Sequence, residues 1–412
     1  MKQDIKTLIT LLSVLVLISC NKEHKKSVVA QNDALLAKID STLILAEKQY
    51  EFLSEQVAPS SYPKTYHQDS NALETSGSDW WCSGFYPGTM IYLNEAHPSE
   101  TLQTEIDAYL NDLEKEQYNT HTHDLGFMMY CSFGNANRLN ASKAYEDVLL
   151  QSAKSLATRY NDTVKAIRSW DNAPWNQASD DDFVVIIDNM MNLELLFWAT
   201  KYSSDSTYYQ IAVNHANTSI KHHFRPDYSS YHLVIYDETT GQVKAQITNQ
   251  GAADSSSWAR GQVWGLYGYI VMYRATKDLS YLEQAKHIAD YLLNHPNLPK
   301  DNIPYWDFNA PDIPDALRDS SAAAIMASAL IELSTFTEGA TSKNYLNHAK
   351  TIIEHLMSPK YLAKVGENGG FLLKHGVGNM PNKTEIDTPL SYGDYYFVEA
   401  LLRYKNITLK ND

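Results

Sequence analysis

The sequence predicts an all-α protein built as a closed double ring of helices, six inside and six outside. Two observations carry this reading. First, apolar residues recur with helical periodicity in about twelve segments, beginning near residues 31, 84, 101, 124, 141, 183, 205, 258, 278, 318, 341 and 391. Second, the segments alternate in character. One set is rich in Gly, Ala and aromatics on most faces: "GFYPGTMIYLNEA", "DLGFMMYCSFGNA", "DNMMNLELLFWAT", "RGQVWGLYGYIVMY", "DSSAAAIMASALIEL" and "YGDYYFVEALLR". The other is amphipathic with exposed charges, as in "TLQTEIDAYLNDL", "SKAYEDVLLQSAKSLATRY", "SYLEQAKHIADYLL" and "SKNYLNHAKTIIEHL". A helix that is apolar all round is buried, whereas one with a single apolar stripe turns its other face to water. Strict alternation therefore places a buried ring inside an amphipathic one. The fixed short period that a stacked solenoid needs is missing.

Taken in order, the elements begin with Lys2 and Lys6, an apolar run from Leu8 to Ile18, and Leu17-Ile18-Ser19-Cys20. That run is too short for a membrane span and reads as an export signal over residues 1–19. Its ending resembles the bacterial lipobox, which implies cleavage before Cys20, a lipid on that thiol, and a polar tether over 20–32. A single domain over 33–412 follows. The expected location is the cell envelope, lipid-anchored at the outer membrane and facing the periplasm or the surface. Cys82 and Cys131 are then the remaining cysteines, too few for a disulfide scaffold, and they read as two buried thiols.

The 412 residues, 44% hydrophobic and 20% charged, suffice for a large core. A formal charge of −15 excludes nucleic acid as a general partner and leaves the lipid as the only expected link to a membrane. An anionic small substrate is still compatible, because a pocket can be basic inside an acidic protein. No P-loop, dinucleotide fingerprint, Gly-x-Ser-x-Gly elbow or paired Cys-x-x-Cys occurs.

Between the helices, the long connections over 160–182, 224–257, 296–316 and 358–390 are rich in Trp, Asp, Asn, Pro and Gly. Loops of that length in a compact domain are usually functional. "YHLVIYDETTGQVKAQI" reads as a β-hairpin turning at Thr240-Gly241 and decorating one mouth of the ring. If the inner helices all point the same way, their N-terminal ends share that mouth, where backbone N–H groups favour anions.

Several inner helices open on an acid: Asp124, Asp188, Asp254 with Ser255 to Ser257, Asp319 with Ser320, and Asp394. Each fits an N-cap. Asp188 departs furthest from that reading, because it sits between "FVVII" and "NMMNLELL". Desolvation among apolar side chains raises a carboxyl pKa and keeps a proton available near neutrality, the property of a general acid or base. Asp124, preceded by His121 and His123, is the second carboxylate. The His-x-His pair lacks a third ligand at metal-binding spacing, so no metal is expected. His215, His222 and His223 are placed on an outer helix. Trp80, Trp81, Trp170, Trp175, Trp258, Trp264 and Tyr305 offer flat surfaces on which sugar rings stack, Trp264 fitting core and pocket wall equally. Arg260 can hold a carboxylate through a bidentate pair, or be tied up in a structural salt bridge.

"WWCSGFYPG", "HDLGF", "DNMMNLELLFWA", "DSSSWARGQVWGLYGY" and "YGDYYFVEALLR" together closely resemble the unsaturated glucuronyl hydrolases, glycoside hydrolase family 88, over about residues 35–405. The resemblance implies an (α/α)6 barrel and a glycosidase without a cofactor, acting as a monomer or weak oligomer on unsaturated uronic-acid oligosaccharides. Such enzymes remove a 4,5-unsaturated glucuronyl residue from the non-reducing end of polysaccharide-lyase products. They hydrate the C4=C5 vinyl ether, so the carboxylate-spacing rule of ordinary glycosidases does not apply. By motif, Asp188 matches the acid/base and Asp124 the second essential acid. His232, Gln250, Arg260 and Trp264 match residues contacting the unsaturated sugar and the attacking water. His123 counts with the substrate-binding residues, Trp81 matches an aromatic wall, and His375 in "KHGVG" matches a residue facing the next sugar.

One segment departs from the pattern. Some relatives that accept sulfated glycosaminoglycan fragments carry Ser-x-x-Ser-Gly-Lys before the last helix, where this chain has "GNMPNKTEID" with Lys383. Two rival readings are an unsaturated rhamnogalacturonyl hydrolase, which shares the barrel and the acid, and a non-catalytic sugar-binding lipoprotein. An acid within an apolar run, as at Asp188, is not needed by a simple binding surface.

Overall fold

The computed structural model describes residues 33–171 and 182–411. Cys20, the signal and tether expected over 1–32, and Trp175 lie outside the described residues.

Among the described residues, twelve helical units form two rings. The inner ring consists of α2 (Phe85–Ala96), a π-helix Gly126–Gly134 that runs on as α4 (Asn135–Leu139), a 3-10 turn Ile187–Asn192 leading into α6 (Leu193–Ser203), α8 (Ala259–Thr276), α10 (Ser320–Thr335) and α12 (Ser391–Asn411). Each packs on the next, and α12 packs on α2, which closes the ring. The outer ring consists of α1 (33–54), α3 (Glu100–Leu113), α5 (Lys143–Ala157), α7 (Ser206–His222), α9 (Leu279–Asn294) and α11 (Gly339–Leu356). The periodicity thus located every helix but one closely.

That one is the segment expected to start near 183. Asp182–Ile186 is a strand, β5, and helix begins only at Ile187. A run of β-branched side chains packs well on a pleated surface. It pairs antiparallel with β6 (Leu233–Asp237), which pairs in turn with β7 (Val243–Ile247). The expected hairpin is therefore two strands of a three-stranded sheet. Three further two-stranded ribbons decorate the barrel: β1 (Tyr62–His67) with β2 (Ala72–Ser76), β3 (Tyr160–Asn161) with β4 (Ala166–Ile167), and β8 (Gly376–Asn379) with β9 (Thr384–Thr388).

Composition explains the layering. The buried residues of α8 run unbroken from Ala259 to Met272, and those of α10 nearly fill that helix. Outer helices bury one stripe, such as Leu102, Ile106, Tyr109, Leu110 and Leu113 of α3. Small residues let inner helices touch backbone to backbone. A Cβ on Gly84 would collide with the carbonyl oxygens of Phe127 and Met128, and one on Gly126 with Asn192.

Capping falls mainly on the outer ring. The side chains of Ser99, Ser142, Asp205 and Asp278 accept from first-turn N–H groups of α3, α5, α7 and α9. Of the five inner-ring acids read as caps, Asp319 alone caps its helix, accepting from Ser321 N at 3.0 Å. Asp254 lies in a loop, since α8 starts five residues later, and its Oδ1 accepts from Thr248 N. The Asp394 carboxylate binds Leu372 N, Leu373 N and the Tyr50 hydroxyl, so it fastens a loop and α1 to the barrel. Asp124 and Asp188 make no cap bond.

The two open cysteines are free thiols, Cys82 buried and Cys131 half-buried. No described helix is long and apolar enough to cross a membrane.

Candidate active site

The starts of the inner helices converge on one mouth, where a cavity of about 480 Å³ opens. Trp80, Trp81, Asp124, Asp188, Gln250 and Arg260 are among its lining residues. With Asp79, Asp171 and Trp170, four carboxylates, one guanidinium and three indoles share a pocket that ordinary small ligands fit.

Asp188 sits in the 3-10 turn, with its side chain 12% exposed and Oδ2 without a hydrogen-bond partner in the protein. Burial pushes its pKa up to about 7; the Arg260 charge opposes that rise and the Asp124 charge adds to it. The carboxyl therefore holds a proton close to neutral pH. Below it lies Trp264, fully buried, with its indole N–H turned towards Asp188.

His232, immediately before β6, lies at 3.8 Å, measured from Nε2 to Asp188 Oδ2. Its Nδ1 accepts from two backbone donors, Asn249 N at 3.1 Å and Gln250 N at 3.3 Å. Burial pushes its pKa down to about 3, with the Arg260 charge adding to the effect. A neutral ring whose Nδ1 accepts carries its proton on Nε2. That proton points at the acid.

Asp124 begins the π-helix through its carbonyl, which accepts from Met128 N, but its side chain does not cap. Asn192 Oδ1 caps instead, accepting from Phe127 N at 3.0 Å. The Asp124 carboxylate is thereby left to accept from Thr122 Oγ1 at 3.0 Å and to face the cavity beside His123, whose Nε2 lies 3.3 Å away. A π-helix in this position is a common mark of a functional site.

Arg260 is tied into the protein and also borders the cavity. Nη1 donates to Asp319 Oδ2 at 3.0 Å and to Val377 O at 2.5 Å, while Nη2 donates to Gly378 O at 2.6 Å. It is salt-bridged and structural, yet it still lines the cavity.

No family model matches the chain. Among curated proteins, the unsaturated glucuronyl hydrolase of Formosa agariphila is 47% identical over 357 residues, covering 86% of this chain and 87% of that protein. The chain belongs to the unsaturated glucuronyl hydrolases. A crystal structure of an unsaturated glucuronyl hydrolase specific for heparin is similar with a TM-score of 0.86 and 43% identity, over 90% of this chain and 98% of that one. A variant of the Streptococcus agalactiae enzyme complexed with dGlcA-GalNAc6S gives 0.77 and 28%, over 90% and 92%. The barrel architecture expected from the alternation is the architecture of these enzymes.

The structure sorts the enzyme's expected site residues by depth. Asp124, Asp188, Trp81, Gln250 and Arg260 line the cavity. His123, 1% exposed, reaches its edge from beneath Asp124. Trp264 and His232 are buried behind the wall beside Asp188 rather than forming open surface. For Trp264, core is the outcome. Of the other aromatic platforms, Trp80 and Trp170 line the cavity, whereas Trp258 packs between His232 and Arg260, and Tyr305 against Arg318. His375 is outside the cavity lining and pairs with Asp387 at 2.7 Å. His215 and His222 lie on α7, as expected, and His223 ends it.

Asp79, Thr122, Asp171, Asn249 and Asn379 also line the mouth, and no local motif marked them. No group of three His, Cys, Asp or Glu that could hold a metal occurs among the described residues.

Proposed function

We propose that the enzyme removes a 4,5-unsaturated glucuronyl residue from the non-reducing end of polysaccharide-lyase oligosaccharides by hydrating the C4=C5 double bond. The observation that carries this is a cavity-facing carboxyl, Asp188, protonated up to about pH 7 beside a second carboxylate. In this scheme Asp188 delivers its proton to C4, and positive charge develops at C5 and the ring oxygen. Water then attacks C5 and returns a proton to the Asp188 carboxylate. The resulting hemiketal opens to a keto sugar and frees the remaining oligosaccharide with its hydroxyl restored.

The neighbours fit subsidiary tasks. The gap between Asp188 Oδ2 and His232 Nε2, 3.8 Å across, suits a water held by a fixed N–H donor and aimed by the acid. Arg260, with Nε–H and one Nη2–H left free by its protein contacts, is the cation for the uronate carboxylate, and Gln250 stands beside it. Asp124 receives sugar hydroxyls, and Trp81 supplies a flat wall. Asp188→Asn removes the transferable proton, so loss of the unsaturated sugar's ultraviolet absorbance should cease in a folded variant. Retained turnover would refute the assignment.

For the substrate's second sugar, the β8–β9 hairpin is the variable wall. It contributes Asn379 to the cavity and carries the exposed Lys383, while the serines and the glycine of sulfate-accepting relatives are absent. Rates on a panel of unsaturated disaccharides, sulfated and unsulfated, identify the parent polysaccharide. We also infer lipid attachment at Cys20 from Lys2, Lys6 and the apolar run that follows. Mass spectrometry of the mature N-terminus tests it, and an unmodified Cys20 would refute it.

A further inference from the structure

Arg260 is held on three sides, and the holder at its centre has no assigned part in the reaction. Asp319 is fully buried, and its two oxygens do separate jobs. Oδ1 accepts from Ser321 N at 3.0 Å and Ser321 Oγ at 2.6 Å, which caps α10, and it faces Val377 N at 3.5 Å. Oδ2 takes Nη1 of Arg260. The same guanidinium grips the carbonyls of Val377 and Gly378, and Gln250 Nε2 donates to the Gly378 carbonyl as well, at 3.0 Å. Ser320 N donates to His375 O at 3.0 Å. The start of α10, the start of α8 and strand β8 are thus fastened at one buried point on the cavity wall.

A cap alone does not need a carboxylate. Ser or Asn satisfies a first-turn N–H about as well. What the carboxylate adds is a charge and a second acceptor, both spent on Arg260. A buried guanidinium without a counter-ion is strongly unfavourable, and one with a single fixed partner has a defined plane.

We propose that Asp319 is a positioning residue for the hydration reaction: it fixes the plane of Arg260, and through Arg260 it holds the β8–β9 hairpin against the second sugar. This rests on the reading of Arg260 as the cation that meets the uronate. Two consequences follow. Removing the Asp319 charge lets the guanidinium turn, which weakens ground-state binding of the carboxylate. It also leaves the Arg260 charge less compensated where it acts on Asp188. The charged and titratable groups facing Arg260 are Asp188 from the 3-10 turn, His232 just before β6, Asp319 at the cap of α10, Glu385 from β9 and Tyr392 from α12. Those facing Asp188 are Arg260, Asp124 and His232, whose neutral ring lies 3.8 Å away. A stronger positive field favours the Asp188 carboxylate, so its proton is lost at lower pH.

The experiment compares Asp319→Asn and Asp319→Ser, both of which keep an N-cap acceptor, with Arg260→Lys on the full chain. Steady-state rates are measured across pH with an unsaturated disaccharide. The expected result for either Asp319 variant is a KM raised about tenfold or more, a smaller change in kcat, and an alkaline limb displaced to lower pH, as one buried charge-assisted bond implies. Circular dichroism and thermal unfolding show which variant is folded; either replacement side chain can accept from Ser321 N and so retain the cap. A folded Asp319 variant with unchanged KM and unchanged limb overturns the proposal and leaves Asp319 a cap. If Arg260→Lys also leaves KM unchanged, the reading of Arg260 falls with it. If Arg260→Lys alone raises KM, that reading stands and only Asp319 is dismissed.

Discussion

The barrel has two ends, and they treat buried polar groups in opposite ways. At the end where the inner helices start, Asp188 Oδ2, His232 Nε2, His123 Nδ1 and Trp264 Nε1 are buried with no hydrogen-bond partner in the protein. At the other end a second cavity, about 440 Å³, is lined by Tyr92, Glu194, Tyr267, Arg274, Glu399 and Arg403 among others. There the charges are matched. Glu399 accepts from Tyr92 at 2.9 Å, Tyr267 at 3.1 Å, Arg403 at 3.1 Å and Ser328 at 2.5 Å. Arg403 also meets Glu332 at 2.8 Å, and Arg274 bridges Glu332 and Glu194. An unpaired buried polar group costs about 1–3 kcal/mol. Four such groups surround the first cavity, where a substrate and water can complete them, whereas none of the six residues named for the second cavity leaves a buried side-chain atom unpartnered. A large polar cavity is therefore no guide to chemistry by itself; unfinished hydrogen bonding is the better one.

Perturbing each end should separate activity from stability. The largest effect is expected for Asp188→Asn, a loss of about 10²- to 10⁴-fold in kcat at almost unchanged unfolding free energy at pH 5. Glu399→Ala should do the reverse. It leaves Arg403 and three hydroxyls without their shared acceptor, and a destabilisation of about 3–5 kcal/mol in denaturant unfolding is expected, with the folded fraction turning over normally. Equal losses of both properties in either variant would erase the contrast between the ends.

Titration sharpens the comparison. Asp188 holds its proton to about pH 7 when folded but releases it near 3.9 when unfolded, so between these values the folded state binds more protons and stability falls as pH rises. Asp394, raised to about 7 by burial, adds to the same slope. Asp188→Asn removes its own part, so the variant should gain stability over the parent at pH 8 relative to pH 5 in thermal unfolding. Parent activity should decline on the alkaline side of about pH 7, following the same group. The smallest change is expected far from both ends. Ser99→Ala deletes the cap of α3 and should cost about 1 kcal/mol with unaltered kinetics.

The two ends were also unequally legible in the sequence. Asp188 announced itself because an acid between "FVVII" and "NMMNLELL" has few benign explanations, and Asp124 because it follows two histidines. The alternation of helix types gave the double ring directly, since burial of a whole helix surface is written in composition. The same apolar run misled at its own start, where "FVVI" forms a strand: periodicity does not separate a short buried strand from a helix, and only pairing with Leu233–Asp237 decides it. Arg260 was readable as either ligand or salt bridge, because its fasteners lie 59 and 117 residues away. Glu399 and Arg403 look like an ordinary surface pair one helical turn apart. Their partner Tyr92 is 307 residues distant, and no local pattern reveals it.

That closure of the inner ring by α12 bears on how the protein is made. A chain emerging from the ribosome in order presents α2 long before the helix that completes its packing. Tyr50 waits for Asp394 across 344 residues, and Gln49 for Phe371 across 322. Until α12 arrives, the apolar sides of α2 and α10 face water, so assembly is slow in the manner of folds dominated by distant contacts. Deleting α12 should therefore yield an aggregating chain rather than a smaller barrel.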